Sequence, residues 1–310
     1  MSKYRILSFD GGGIRGLLTA ILLERLEAAA PGWLEKADLL AGTSTGGLIA
    51  LGLARGLSPV ALRSVYETKG AEIFDDSWLD DLKDIGGVMG ADYDNRNLTR
   101  EVKAILGEET RLKDLRKKVV IPSFDLDDEE EVESKRSWKP KFFHNFGGKD
   151  SDGDMLAYKV GLYTSAAPTF FPSVDGYIDG GVVANNPSMA ALVQTQDRRS
   201  IRNPPSLDEV VLLSIGTGKS LVRIEGKNLD WGYAQWAKPL ISLMLDGVMG
   251  VADFQCRQLL RDNYFRLEPV FPPRQTIPMD DVRKIPDLVD FATNKVKLDQ
   301  ATRWLNDFWI

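Results

Sequence analysis

Residues 39–50, LLAGTSTGGLIA, run apolar, then Gly42-Thr43-Ser44-Thr45-Gly46, then apolar again. A Gly-x-Ser-x-Gly pattern between a strand and a helix holds a serine hydroxyl on a sharp turn, where it can attack an acyl carbon. Small neighbours permit the turn, and a helix starting at Thr45 aims its N-terminus at the hydroxyl, favouring negative charge there. Such a serine ordinarily passes its proton to a histidine, and the chain has one, His144. That histidine lies in KFFHNF, a strand-like run, and reads as a half-buried sheet residue. Asp179, in DGGVVANNPS, is the alternative base: two glycines behind it, Gly180 and Gly181, let its turn reach into a site. Spacing alone gives equal weight to an aspartate that only stabilises its own Asp-Gly turn. In water an aspartate, with a pKa near ~3.9, is a poor base, so the role requires apolar burial or a direct bond to the serine.

A second glycine run, FDGGGIRGLL, places Gly11, Gly13 and Gly16 in a G-x-G-x-x-G pattern after a strand and before a helix. This is the context of a dinucleotide-binding turn. The same exposed N–H groups suit a phosphate ester or the oxyanion of acyl transfer. A dinucleotide fold wants an acid at the end of the second strand. Here that position carries GTSTG, and Asp38 sits at the strand's start. A nucleotide-binding protein with Ser44 purely structural is therefore the weaker alternative. A catalytically silent scaffold is weaker still, since no motif is broken.

The elements that must position these turns follow from periodicity. Residues 4–9, 37–42, 117–126, 140–146 and 208–218 read as strands. Residues 17–30, 45–56 and 58–70 read as helices, the last with Ser58 as N-cap and Pro59 at its first position. From about 230 onward the chain reads as mainly helical. Strands alternating with helices predict a largely parallel sheet covered on both faces, an α/β fold in one domain over 1–310. The acidic DLDDEEEVESKRSWK between two of the strands predicts a solvated hairpin tip and lacks the glycine and spaced acids of a calcium loop. A net charge of −6 disfavours nucleic acid as a partner. Cys256 is the lone cysteine, which excludes an intrachain disulfide and a cysteine-based metal cluster; no cofactor is expected. No signal-peptide pattern and no apolar run of about 18 residues appears, so the expectation is a cytoplasmic protein with at most peripheral membrane contact.

Taken as a set, DGGGIRG (10–16), GTSTG (42–46), TSAAPTFFP (164–172) and DGGVVANNP (179–187) resemble the patatin-like phospholipase family in order and spacing, over roughly residues 4–220. The resemblance implies a three-layer α/β/α sandwich and a serine–aspartate dyad without histidine, with Ser44 as nucleophile and Asp179 as general base. It implies an oxyanion hole from the backbone N–H groups of Gly11, Gly12 and Gly13, with Arg15 beside Gly16 available to a phosphate head group. The implied activity is calcium-independent hydrolysis of lipid acyl esters. Phospholipid, lysophospholipid, galactolipid and neutral ester all stay open as substrates. Some bacterial members are toxins and others are defence effectors switched on by a nucleotide signal. Contact with a membrane surface would be transient, past an apolar rim for which residues 239–254 and 303–310 are the candidates, although apolar helical stripes ordinarily face inward and packing on the core is the stronger expectation for each; the oligomeric state is not indicated.

Overall fold

The structure, a computed structural model, describes residues 3–73, 95–168, 170–226, 229–273 and 276–310. Its first strand, β1 (Tyr4–Phe9), leads through the glycine turn into helix α1 (Gly16–Ala29). Strand β2 (Leu39–Gly42) leads through the serine turn into α2 (Thr45–Arg55), followed by α3 (Pro59–Ile73). Gly56 ends α2 in the left-handed conformation, φ 109°, and Ser58 Oγ accepts the N–H of Ala61 at 3.2 Å, capping α3 as its sequence requires. Next come α4 (Asn95–Leu106), β3 (Lys118–Asp125), β4 (Lys139–His144) and α5 (Ala157–Ser165). They are followed by β5 (Tyr177–Asp179), α6 (Gly181–Ala184), α7 (Ser188–Thr195) and β6 (Val210–Ile215). The long α8 (Tyr233–Leu260), β7 (Tyr264–Leu267), α9 (Ile285–Asp290) and α10 (Asp299–Trp304) complete the order.

The seven strands form one sheet in the order β4-β3-β2-β1-β6-β7, with β5 pairing β3. Pairings among β3, β2, β1, β6 and β7 are parallel, while β4 and β5 lie antiparallel to β3. Alternate residues of the central strands go to opposite faces, as the pleat demands. Leu7, Phe9, Leu40, Val119, Ile121 and Leu213 enter one core, with α1 to α5, α9 and α10. Ile6, Leu39, Ala41, Val120 and Leu212 enter the other, with Ala191 and Leu192 of α7 and Cys256 and Leu260 of α8. A sheet buried on both faces explains why these strands are continuously apolar. This is the three-layer α/β/α sandwich that the motifs imply.

The structure sharpens two expectations for the C-terminal third. The C-terminal third is not only helical: β7 adds a parallel edge strand, with Leu212 opposite Tyr264. Four residues that include Arg266 are too short a run for a period of two to stand out. The chain's end is not an exposed apolar rim either. Leu305 and Trp309 are fully buried, the Trp309 ring packs edge-on against Trp33 at 5.7 Å, and its indole N–H donates to the Trp33 carbonyl at 2.8 Å. The Arg5 Nε donates to the Trp309 carbonyl at 2.6 Å, which places the tail at the amino-terminal end of β1, away from the serine turn. The hairpin tip between β3 and β4 is as expected, exposed and laced with ion pairs such as Lys139–Asp128 at 3.3 Å.

Candidate active site

β1 and β2 end side by side, Phe9 opposite Gly42, so the glycine turn and the serine turn emerge together at the carboxyl edge of the sheet. This is where open parallel sheets place their ligands. Ser44 follows at once, with φ 55° and ψ −127°, positive for a residue that has a side chain. Such a conformation costs roughly 1–3 kcal/mol and persists only where its surroundings enforce it. The enforcement is visible. The Ser44 N–H donates to Thr164 Oγ1 at 2.9 Å, and Thr164 Oγ1 donates to the Pro122 carbonyl at 2.6 Å. Thr43 Oγ1 donates to the Ala184 carbonyl at 2.6 Å. At Gly46 a side chain would stand 2.4 Å from the Phe9 carbonyl, so only glycine lets α2 start this close to β1.

Asp179 reaches Ser44 because of how β3 is shared. β4 occupies one edge of β3. Along the other edge β2 runs parallel, its last pair being Ala41 with Val120, and β5 runs antiparallel, ending with Asp179 opposite Ser123. The two strands therefore run toward one another, and Ser44 and Asp179 stand at their facing ends. The Pro122 carbonyl points into the gap between them, so the N–H that proline lacks costs no ladder bond. The Asp179 carboxylate accepts the Gly181 N–H at 2.7 Å and borders the same cavity as Ser44, whose hydroxyl is the side-chain group that holds its pKa down. It is 6% exposed, and burial raises its pKa from 3.8 to about 6 against the opposing pull of those two donors. No lysine or arginine among the described residues contributes to that balance.

The glycine turn closes the site. Gly13 has φ +56°, and a side chain there would come within 2.1 Å of the Met279 carbonyl, which accepts the Ile14 N–H at 2.8 Å. Gly12 and Gly13 line a cavity of about 220 Å³ together with Ser44 and Asp179. Their N–H groups donate to no partner among the described residues. Gly11 behaves differently: its N–H is committed to the Asn185 carbonyl at 3.0 Å, tying the glycine turn to the end of α6. Gly16 opens α1, Gly42 ends β2, Gly180 lies between Asp179 and α6, and Gly181 both opens α6 and borders the cavity. The remaining wall is mostly apolar, with Leu48, Leu98, Phe170, Phe171 and Met244.

Arg15 does not join this group. It lines no part of the cavity, and its guanidinium donates to the Gly218 carbonyl at 3.3 Å. The 3-10 turn over Gly13–Arg15 carries the side chain toward the end of β6 rather than toward Ser44. His144 is also apart. It ends β4 opposite Val120, is 5% exposed, and packs edge-on against Phe146 at 6.0 Å. Burial lowers its pKa. Among the described residues no cluster of His, Cys, Asp or Glu is arranged to hold a metal ion, and no helix is long and apolar enough to cross a membrane.

Sequence reasoning missed several supporting residues. Thr164 lies in the TSAAPTFFP stretch, whose Thr169 is outside the described residues, but nothing local marks it as the partner of Ser44. Asn185 is part of the ANNP turn, yet its contact with Gly11 spans 174 positions of sequence. Asp10 is fully buried, and both its oxygens accept from Arg266 of β7. Arg266 also donates to Ser214 Oγ at 2.7 Å and pairs with Glu268.

A family model described as patatin-like phospholipase matches residues 7–192. Protein teg of Priestia megaterium is 28% identical over 335 residues, covering all of both chains. A cGAMP-activated phospholipase of Pseudomonas aeruginosa is 30% identical over 301 residues, covering 95% of this chain and 86% of its own. Patatin-like protein 1 of Oryza sativa subsp. indica is 27% identical, covering 86% of this chain and 74% of its own.

Proposed function

The chain belongs to the patatin-like phospholipase family, and from that premise we propose that it hydrolyses acyl esters of lipids through a covalent Ser44 intermediate. The observation that carries the reading is one juxtaposition: a serine on a positive-φ turn lines a cavity with a buried carboxylate on which no lysine or arginine among the described residues acts. Ser44 Oγ attacks the ester carbonyl as its proton passes to Asp179. The N–H groups of Gly12 and Gly13 receive the developing oxyanion; Gly11 instead holds the turn in place through Asn185. The tetrahedral adduct collapses, the C–O bond to the alcohol breaks, and Asp179 returns the proton to the leaving oxygen. Water then gives its proton to Asp179 and attacks the acyl-serine, and the fatty acid leaves as Ser44 is reprotonated.

A raised pKa suits Asp179 to this work. A carboxylate near 4 would hold a proton too weakly, whereas one near 6 exchanges it close to neutral pH while staying mostly ionised at 7. The apolar wall suits a hydrocarbon chain. Every step uses side chains and backbone of this chain, so the proposal includes independence of calcium.

Labelling with a fluorophosphonate tests the reading. The expected result is one adduct on Ser44, blocked by prior incubation with a long-chain ester and undiminished by a calcium chelator. Absence of any adduct on folded protein removes the nucleophile. A nucleotide-switched form of the activity is the second reading and rests on the name of the 30%-identical relative. A hydrolysis rate unchanged by added cGAMP removes it.

A further inference from the structure

α8 is apolar on two sides. Ala252, Cys256 and Leu260 are buried in the core, whereas Met244, Val251 and Phe254 are 54%, 57% and 63% exposed. Along the exposed side runs an open groove of about 750 Å³ against α7, lined by Phe142, Val183, Val193, Met244, Gly247 and Val251. The Arg199–Asp197 ion pair borders it. Met244, Gly247 and Val251 are spaced by three and four residues and so share one helix face. From Met244 to Gln255 the groove follows α8 for roughly 16 Å at about 1.5 Å per residue.

This groove adjoins the cavity that holds Ser44. Met244 lines both spaces. Val182 faces the cavity and its neighbour Val183 faces the groove, so α6, the short helix behind Asp179, is the partition. At about 220 Å³ the cavity is smaller than the roughly 300–1,000 Å³ usual for a site that encloses a medium-sized ligand. A lipid lifted toward Ser44 must keep each of its chains away from water, because exposed methylenes oppose the transfer. The cavity accounts for one chain and leaves a second uncovered.

We propose that the groove between α7 and α8 receives the second acyl chain of a diacyl lipid whose scissile chain lies in the cavity. The inference rests on the reading of Ser44 as an acyl-hydrolase nucleophile and narrows the substrate class to two-chain lipids.

Gly247 offers a clean test. A side chain there meets nothing within 4 Å, so Gly247→Leu fills the groove without a clash, and leucine is also the better helix former. Gly250, on the same helix, has equally open space and does not line the groove, so Gly250→Leu is the control. Activity is compared on diacyl phosphatidylethanolamine and on its single-chain lyso form, both in mixed micelles. Gly247→Leu is expected to lower the diacyl-to-lyso ratio of kcat/KM at least tenfold, and Gly250→Leu to leave it unchanged. An unchanged ratio in Gly247→Leu overturns the proposal, as does an equal shift in both variants.

Photolabelling separates the groove from the chemistry. Full-length Ser44→Ala is irradiated with a diacyl phosphatidylethanolamine carrying a diazirine at the end of each chain. Labels within 183–193 or 247–255, besides those in the cavity, support the groove, and labels confined to the cavity, Asn185, Met244 and Leu245 included, overturn it. Were wild type to cleave neither lipid, the reading of Ser44 would fail, while the labels would still decide where the second chain lies.

Discussion

Two aspartates are buried near the same edge of this sheet, burial pushes both carboxyls up to about 6, and they differ in the partners that oppose that rise. Asp10 follows β1 and accepts from Arg266 through both oxygens, with Glu268 and Ser214 completing the group. Asp179 ends β5 and, among the described residues, has one backbone N–H and the Ser44 hydroxyl to stabilise it and no lysine or arginine. At Asp10 the Arg266 guanidinium opposes the effect of burial with its charge and its hydrogen bonds, and the ion pair ties β1 to β7 with no hydroxyl placed as a nucleophile beside it. A buried carboxylate without a cation stays short of stabilisation and reaches for a proton. The hydroxyl placed to supply that proton is Ser44. Sequence shows both residues as an aspartate followed by glycines, Asp10-Gly-Gly-Gly and Asp179-Gly-Gly. Only the partner across the sheet distinguishes the structural acid from the chemical one.

The sharpest way to break this comparison is to neutralise each acid in turn. Asp179→Asn keeps the side chain's shape and removes its basicity. Ester hydrolysis is expected to fall by about 10²–10⁴-fold, or further if nucleophile and base act as a unit, as single-turnover kinetics at equal folded concentration will show. Retention of full activity by Asp179→Asn would return the proton-acceptor role to another group.

Asp10→Ala should do the reverse. It leaves Arg266 buried with Glu268 alone, and stranding a buried charge costs about 3–5 kcal/mol. Denaturant midpoints should drop accordingly, while activity per folded molecule changes by less than about tenfold. A variant that is as stable as wild type but inactive would make Asp10 part of the chemistry.

Stability also reports the burial of Asp179 with pH, once the variant is compared with wild type so that the equal contribution of Asp10 cancels. Burial raises the pKa of Asp179 from 3.8 to about 6, so between those values the folded chain binds this proton more tightly than the unfolded chain. The wild type therefore keeps that contribution below about pH 4 and loses it as pH rises through 6. Asp179→Asn, which cannot ionise, should be more stable than wild type at pH 8 by up to about 3 kcal/mol, with the advantage fading toward pH 4. Thermal melts across that range check it; an advantage independent of pH would point to packing instead.

The smallest expected effect is at His144. His144→Asn should keep activity within about threefold, because the ring faces Phe146 and not the cavity. An acid limb in the rate profile near pH 6 is still expected, since Asp179 itself titrates there and must be ionised to accept a proton. Such a limb mimics a histidine, so the profile alone does not discriminate. The limb should persist unchanged in His144→Asn; its loss would implicate the imidazole.

Much of the fold was legible because its signals are local. Ser58-Pro59 caps a helix, Gly56 ends one, and the apolar runs at 4–9 and 208–218 could only be buried strands. The site was legible in part for the same reason, because the glycines flanking Ser44 and Asp179 answer a steric demand within a few residues. Arg15 was misplaced, since the direction of a side chain leaving a 3-10 turn depends on what packs above it, here the Gly218 carbonyl. For the terminal RWLNDFWI, core packing is the stronger expectation and a rim the alternative, because apolar helical spacing names a buried face without naming what buries it; Trp33 does.

The sequence by itself determined the turns: where the chain must bend sharply, which serine each bend would expose, and which acids precede paired glycines. It did so because backbone conformation is set by neighbours one to four positions away. Tertiary structure alone decided that β2 and β5 meet end to end along one edge of β3. It also decided that Thr164 holds the Ser44 backbone, that Gly11 spends its N–H on Asn185, and that Arg266 goes to Asp10 and not to Asp179. Those choices join residues more than a hundred positions apart. They follow from strand order and register, which the whole buried core selects and no single stretch of sequence encodes.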